Sequence, residues 1–160
     1  MKLSDIMVSQ AIVPNLKSSD RDGVIRELIE ALAQAQQIQS DQVEDIIAGL
    51  IEREQEGTTG IGKGIAVPHI KHPSISKIIG TIGCRKEGLE FASLDKAPVY
   101  SVLLLLSPPD HPDLHLEAME TLFAYLQRDM FRKFLRQAED KQAIVDLIKE
   151  ADESNQENGL

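Results

Sequence analysis

The longest apolar run of the chain covers residues 99–106 and constrains the fold more than any other feature. Ser101 is its only interruption, so a strand formed here has no face suited to water. Strands of this kind occupy central positions in α/β sheets, where both faces are covered. The run is much shorter than the roughly 20 apolar residues that a membrane-spanning helix needs. The sequence therefore predicts an inner strand with a helical layer on each side.

Helical patterns lie on both sides of this strand in the sequence. Apolar residues at helical spacing follow a capping segment at Ser19 and Asp22, and a second such helix starts at residue 40 or 41. Asp113 is predicted to cap a helix after the central strand, and the last helix begins at Asp140. These helices supply the material for two covering layers.

Two shorter strands complete the predicted sheet. One covers residues 65–67 and is expected to end at Pro68, and the other covers residues 78–84. Because short strands meet a central one, the sheet is expected to be mixed. The sequence predicts an α/β fold, a three-layer sandwich whose mixed central sheet is flanked by helices on both sides.

Length and composition indicate one globular domain with an aliphatic core. The chain has 160 residues and no Trp, and we expect a domain over residues 1–152 and a flexible tail over residues 153–160. The net charge of −9 argues against nucleic-acid binding. The N-terminus lacks a hydrophobic signal core, so we expect a cytoplasmic protein that does not insert into a membrane. The single cysteine, Cys84, excludes an internal disulfide and is expected to be a buried structural residue.

A glycine-dense segment, residues 57–64, nearly matches a phosphate-binding P-loop. The motif requires Ser or Thr after Lys63, and this chain has Gly64. The segment also follows a helix and precedes a strand, the reverse of the order that places a helix N-terminus on the phosphates. We interpret it as a turn that lets a partner approach the backbone closely.

The four histidines fall into two pairs with metal-like spacing. His69 and His72 form one pair, and His111 and His115 form the other. Neither pair lies on a clear helix face with an acidic neighbour, so a four-histidine metal site is the less favoured alternative.

His69 differs from the other histidines because it follows Pro68 directly. The proline fixes its own φ and restricts the residue before it, so the imidazole is held in one direction. A neutral imidazole is a good nucleophile near pH 7, and the chain has no recognisable serine or cysteine elbow. His69 is therefore the candidate nucleophile.

The segment GIGKGIAVPH at residues 60–69 and the segment around PDLHLEAM at residues 112–119 resemble a known family. They are similar to EIIA domains of the fructose/mannitol type from the phosphoenolpyruvate-dependent sugar phosphotransferase system. The resemblance covers residues from about 3 to about 150, and the TTG step at residues 58–60 is most similar to the stand-alone, nitrogen-regulatory branch.

The resemblance implies a phosphocarrier with His69 as the phosphoacceptor. It also implies that His115 and Arg53 assist, because phosphoryl transfer depends on positioning and on donors for the phosphoryl oxygens. From the residues alone, Arg53 could instead complement a helix dipole, and His115 could be an exposed helix residue. The resemblance implies neither cofactor nor metal, since the phosphate arrives already activated on another histidine.

The implied partners are an HPr-like phosphocarrier and an EIIB domain, a sensor kinase or a transporter subunit. The chain departs from the family pattern at Ile70, where glycine usually follows the active histidine. A β-branched residue there is expected to restrict the backbone and narrow access to His69. The alternative hypothesis is therefore a regulatory binding domain of the same fold that no longer transfers phosphate.

Overall fold

Six α-helices and a five-stranded sheet make up the computed structural model, which describes the backbone of residues 1–158 and the side chains of residues 1–154. The helices are α1 (Leu3–Ile6), α2 (Arg21–Gln34), α3 (Val43–Glu56), α4 (Pro112–Leu126), α5 (Asp129–Gln137) and α6 (Lys141–Asn158). The strands are β1 (Gly60–Gly62), β2 (Ile65–Ala66), β3 (His69–Lys71), β4 (Ile79–Leu89) and β5 (Val99–Ser107). No helix in the described part of the chain has the length and apolar content needed to cross a bilayer.

The predicted central strand is β5, which pairs with three other strands. It runs parallel to β2 and β3 and antiparallel to β4, while β1 adds to β2 in antiparallel fashion. Its apolar side chains are buried on both faces, as the sequence required. The prediction of a three-layer α/β sandwich with a mixed central sheet is confirmed.

Strands β2 and β3 are two parts of one line along β5. Ile65 pairs with Ser101 and His69 pairs with Leu105, so the register is the same before and after the interruption at Pro68. The Pro68 carbonyl still accepts a hydrogen bond from the Leu105 amide at 2.9 Å. The predicted strand does end before Pro68, since β2 covers Ile65–Ala66. That the same register resumes in β3 was not predicted from the sequence; it can do so because a proline lacks only the donor, and the acceptor side of the ladder continues.

The two faces of β5 contact different helical layers. Leu104 and Leu106 belong to the cluster that packs against α2 and α3, whereas Leu103 and Leu105 belong to the cluster formed with α4, α5 and α6. This alternation follows from the two-residue period of a strand. The side chains of β3 alternate between the same two layers, and each faces the layer of its pairing partner on β5.

Two helix starts differ from the sequence-based expectation. Asp20 is the N-cap residue of α2, and its carboxylate accepts a hydrogen bond from the Gly23 amide at 2.7 Å. Helix α4 begins at Pro112 with His111 as the cap, so Asp113 lies in the first turn and is not the cap. The proline shifts this boundary because its fixed φ and missing N–H suit the first helical position.

The last helix extends beyond the predicted end of the domain. Helix α6 continues to Asn158, and the buried carboxylate of Asp152 accepts a hydrogen bond from the Leu3 amide at 2.9 Å. Residues 159 and 160 of the predicted tail lie outside the described residues. The domain boundary at residue 152 and the flexibility of residues 153–160 stay predictions. The backbone of residues 153–158 is helical, which was not expected from the sequence.

The glycine-dense segment forms the turn between β1 and β2. Gly62 pairs with Ile65, which leaves the two-residue loop Lys63-Gly64, with φ values of 57° and 78°. Two positive φ values in a two-residue hairpin loop give the twist that antiparallel strands need. The backbone here follows a hairpin, consistent with a turn and not with a P-loop.

Truncating the central strand should destabilise both layers. Leu104→Ala removes a fully buried side chain and should lower the free energy of unfolding by about 2–5 kcal/mol, measured by urea denaturation. Leu94→Ala makes the same chemical change at a side chain that is 72% exposed and should alter stability by less than about 0.5 kcal/mol. Equal effects of the two substitutions would contradict the assignment of β5 as the centre of the core.

Candidate active site

His69 is the first residue of β3 and is half-buried. Its Nδ1 lies 2.7 Å from the Val67 carbonyl oxygen. A carbonyl can only accept a hydrogen bond, so Nδ1 carries the proton and Nε2 keeps its lone pair in the neutral ring. The backbone thus fixes one tautomer and leaves Nε2 as the nucleophilic atom.

His115, in the first turns of α4, lies beside His69. The centroids of the two rings are 5.6 Å apart, and the ring planes are inclined by 40°. The Nδ1 atom of His115 shares a hydrogen bond of 2.6 Å with Ser107 Oγ at the end of β5. Because α4 starts soon after β5 ends, this short connection brings the second imidazole over the end of the strand that pairs with β3.

Burial lowers the pKa of His115 below its ordinary value of 6.5, and repulsion from His69 and then from Lys71 lowers it further. Lys71 faces the same layer as His69, because it lies two residues further along β3. It pairs in register with Ser107, the residue that contacts His115. His115 is therefore neutral near pH 7.

Arg53 lies in the last turn of α3, which packs against the opposite face of the sheet. Its guanidinium donates a hydrogen bond of 2.8 Å to the Gly57 carbonyl. Among the described residues, it forms no hydrogen bond to either imidazole. The structure therefore brings His69 and His115 into contact and places Arg53 in the neighbouring layer.

The packing of α3 on β3 sets how near Arg53 comes to the histidines. His72 contacts Asp45 at 2.6 Å, and Ile70 lies over Gly49. Helix α3 therefore runs antiparallel to β3, and four residues along the helix correspond to two residues back along the strand. Four helical residues and two strand residues both span about 6–7 Å. By the same spacing, one more turn puts Arg53 level with the start of β3, in the layer of α2 and α3.

Ile70 points away from His69, into the layer of α2 and α3. A Cβ built on Gly49 would lie only 3.2 Å from Ile70 Cδ1, so the glycine makes room for this side chain. The expectation that the Ile70 side chain narrows access to His69 was wrong, because successive residues of a strand face opposite sides.

His72 is buried and serves the structure of the loop after β3. Its Nε2 contacts Asp45 at 2.6 Å, and its Nδ1 contacts Ser74 Oγ at 2.7 Å. It faces away from His69, and within the described residues no group of three or more His, Cys, Asp or Glu side chains is arranged to hold a metal ion. The two histidine pairs do not converge on a common point.

Several contributors to the site were missed by sequence reasoning. Ser107 contacts His115 across the short connection between β5 and α4. Lys71 comes near His115 only through the β3–β5 register, for which the sequence contains no local signal. Glu54 is buried and accepts hydrogen bonds from the Thr59 amide, at 2.9 Å, and from the Thr59 hydroxyl. This contact ties the end of α3 to β1 and so supports Arg53 from the following residue.

Comparison with known proteins agrees with this fold. The fold and its adjacent histidines define an α/β domain of the EIIA type. A family model described as phosphoenolpyruvate-dependent sugar phosphotransferase system, EIIA 2, matches residues 5–151. The chain belongs to this family, which confirms the resemblance drawn from GIGKGIAVPH.

Two relatives illustrate the two settings in which the domain occurs. The chain is 32% identical over 152 residues to the fructose-specific EIIABC component of Bacillus subtilis, covering 95% of this chain and 24% of that protein. It is also 32% identical over 148 residues to a nitrogen regulatory protein of Bradyrhizobium diazoefficiens, covering 92% of this chain and 95% of that protein. The chain thus matches a part of a larger component and nearly the whole of a stand-alone one.

Solved structures share the fold. The nitrogen regulatory protein IIA-Ntr from Neisseria meningitidis superposes with a TM-score of 0.81 at 23% identity, covering 91% of this chain and 98% of that one. The IIA mannitol enzyme of Escherichia coli, solved in complex with phosphorylated IIB mannitol, gives a TM-score of 0.72 at 16% identity, covering 90% and 99%. At these identities the likeness supports the fold alone.

The depressed pKa of His115 gives a titration test. We expect NMR titration to find the pKa of His115 below 6.5, and Lys71→Gln to raise it partway towards 6.5 because one repelling cation is removed. The folded pKa lies below the unfolded one, so the associated stability is present above about pH 6.5 and is lost as pH falls through the folded pKa. Lys77→Gln, at an exposed position after the loop, is the control and should leave the titration unchanged.

Proposed function

We propose that this chain is a cytoplasmic phosphocarrier of the phosphotransferase system, with His69 as the residue that accepts the phosphoryl group. The donor is the phosphohistidine of an HPr-like protein. The observation that carries the proposal is the hydrogen bond from His69 Nδ1 to the Val67 carbonyl, which leaves Nε2 free to attack. Membership of the EIIA family supports the same reaction class.

The transfer step needs no proton to move at His69. The Nε2 lone pair attacks phosphorus, a new N–P bond forms, and the N–P bond of the donor phosphohistidine breaks. Its electron pair returns to the donor imidazole, which becomes a neutral acceptor again. The proton on His69 Nδ1 stays on its bond to the Val67 carbonyl throughout, and this bond stabilises the positive charge that develops on the ring.

Neighbouring donors stabilise the phosphoryl oxygens in the transition state. When the Ser107 hydroxyl donates to Nδ1 of neutral His115, Nε2–H of His115 is a donor beside His69. Lys71 adds a cation on the same face. Arg53 lies level with the start of β3 in the neighbouring layer, and we include its guanidinium as a further donor for the phosphoryl oxygens. We assign these residues to positioning and charge stabilisation, which dominate phosphoryl transfer.

The phosphorylated protein either passes the group to an EIIB domain or signals by its phosphorylation state to a sensor kinase or transporter subunit. The fused EIIABC relative and the IIA–IIB mannitol complex support the first route, and the nitrogen regulatory relative supports the second. Phosphorylation places a phosphoryl dianion next to the positively charged ring, a net change of about one negative charge at His69, which is enough to change the docking of a charged partner.

The alternative is a binding domain that no longer transfers phosphate, a hypothesis that rests mainly on Ile70. Since the Ile70 side chain packs against Gly49 on the other face of the sheet, it gives no steric reason for a loss of transfer. Partner capture that is identical with and without phosphodonor would favour the alternative over the carrier.

Phosphorylation should depend on His69 and use Nε2. Incubation with labelled phosphoenolpyruvate, enzyme I and HPr should label the protein at one site, and His69→Ala should abolish the label. His111→Ala removes an exposed histidine at the cap of α4 and is the matched control that should keep full labelling. Label retained by His69→Ala, or NMR that places phosphorus on Nδ1, would contradict the proposal.

His115 should matter for rate more than for folding. Removing a preorganised donor to a developing anion slows such reactions by about 100- to 1,000-fold, so His115→Ala should slow phosphorylation by about that factor. The final extent of labelling and the unfolding midpoint should change much less, and His111→Ala should keep the original rate. A wild-type rate in His115→Ala would exclude a role for this imidazole in transfer.

A further inference from the structure

A basic cleft lies apart from the histidines, at the opposite end of β5. It has a volume of about 730 Å³ and is lined by Lys63, Lys86, Arg132, Lys133, Arg136 and Gln137. Five of these six residues are cations and none is acidic, in a chain with 26 acidic residues and 17 lysines and arginines. The protein as a whole has a net charge of −9, so this lining is a local concentration of positive charge on an acidic protein.

The sheet register shows how these cations come together. Ile65 and Cys84 both pair with Ser101, so the β1–β2 turn and the outer part of β4 lie on either side of the start of β5. Lys63 and Lys86 enter the cleft from these two segments, and α5 supplies the other three cations. Lys63 belongs to the segment that resembles a P-loop in sequence, but it reaches the cleft from the hairpin turn between β1 and β2.

The cleft is separate from the candidate active site. His69 comes six residues after Lys63 along the β2–β3 line, which corresponds to about 20 Å of strand. None of the residues that line the cleft is His69, His115, Ser107 or Arg53. A ligand in the cleft would therefore not occupy the histidine site.

Two arginines in the cleft are already held in place. The Arg136 guanidinium lies 3.5 Å from the centroid of the Tyr100 ring, a cation–π contact. Arg132 donates to the Leu126 carbonyl at 2.5 Å and to the Asp129 carboxylate, and its side chain is only 13% exposed. A guanidinium has five N–H donors, so both arginines keep donors for a ligand.

The lysines of the cleft are less constrained. Lys86 lies 3.6 Å from Glu139, and both side chains are well exposed, so this ion pair contributes little and is readily exchanged. Lys63 and Lys133 form no ion pair among the side chains that the structure describes. Fixed arginines with adaptable lysines can follow closely spaced negative charges.

We propose that this cleft binds a small ligand with several linked phosphates, such as a nucleoside triphosphate, through its phosphate groups. The volume falls within the range of about 300–1,000 Å³ that is usual for small-molecule sites. Arginine is suited to bidentate contacts with phosphate, and lysine to point-charge contacts. The acidic remainder of the protein repels a long polyanion, which favours a short one that fits inside the cleft.

Calorimetric titration of the full chain tests this proposal. At physiological ionic strength and without magnesium, inorganic triphosphate and ATP should each bind saturably to one site, and inorganic phosphate should bind more weakly. The double substitution Lys133→Gln with Arg136→Gln should weaken triphosphate binding at least about tenfold, because two charge-assisted contacts are lost. Lys77→Gln with Lys149→Gln removes the same charge at exposed positions outside the cleft and should leave the affinity within about twofold.

Two further measurements, on the His69→Ala variant and with an oligo-glutamate peptide, distinguish a phosphate site in the cleft from the histidine site and from a general effect of charge. His69→Ala should bind triphosphate normally, so loss of the phosphocarrier role and loss of the cleft are distinguishable. Equal weakening of triphosphate binding in the two double variants would mean that only the net charge of the protein matters, and it would overturn the proposal. Absence of saturable binding up to millimolar triphosphate, or equal affinity for an oligo-glutamate peptide of matched charge, would overturn it as well.

Discussion

The parallel pairing of β5 with the interrupted line of β2 and β3 is the interaction on which the site depends. It fixes His69 opposite Leu105 and Lys71 opposite Ser107. It also lets the Pro68 carbonyl accept a hydrogen bond from the Leu105 amide of β5, so the pairing continues past a proline that has no N–H to donate. Burial of β5 on both faces makes this register costly to change, because a slip by one residue would exchange the two layers.

The fold could be predicted from the sequence because its main constraint is local. Residues 99–106 are apolar on both faces, and amphipathic helices precede and follow them, which together define three layers. Helix boundaries were less accurate. The sequence offered Ser19 and Asp22 as caps of α2, and the structure uses Asp20. It offered Asp113 as the cap of α4, and the helix begins one residue earlier, at Pro112. Such differences depend on the backbone geometry of a single residue.

The site was only partly accessible to sequence reasoning. His69 was predicted as the nucleophile from its Pro-His step, and the family resemblance implied His115 and Arg53. The pairing that places Lys71 opposite Ser107 is long-range and could not be predicted from the sequence. Ser107 touches His115 because β5 ends where α4 begins to cross it. Ile70 showed the opposite error: its identity indicated crowding at His69, whereas the strand period turns the side chain towards Gly49. A strand that continues through residues 69–71 turns neighbouring side chains to opposite faces, whereas the strand predicted from the sequence ended before His69.

The two-residue loop between β1 and β2 has a consequence for how this domain can vary. The height of His69 along the sheet is set by its ladder with β5, while Lys63-Gly64 only reverses the chain ahead of that ladder. The hairpin can therefore grow, shrink or change its residues without lifting the imidazole from its carbonyl partner. The far end of the molecule can therefore change in shape while the ladder that positions His69 stays the same.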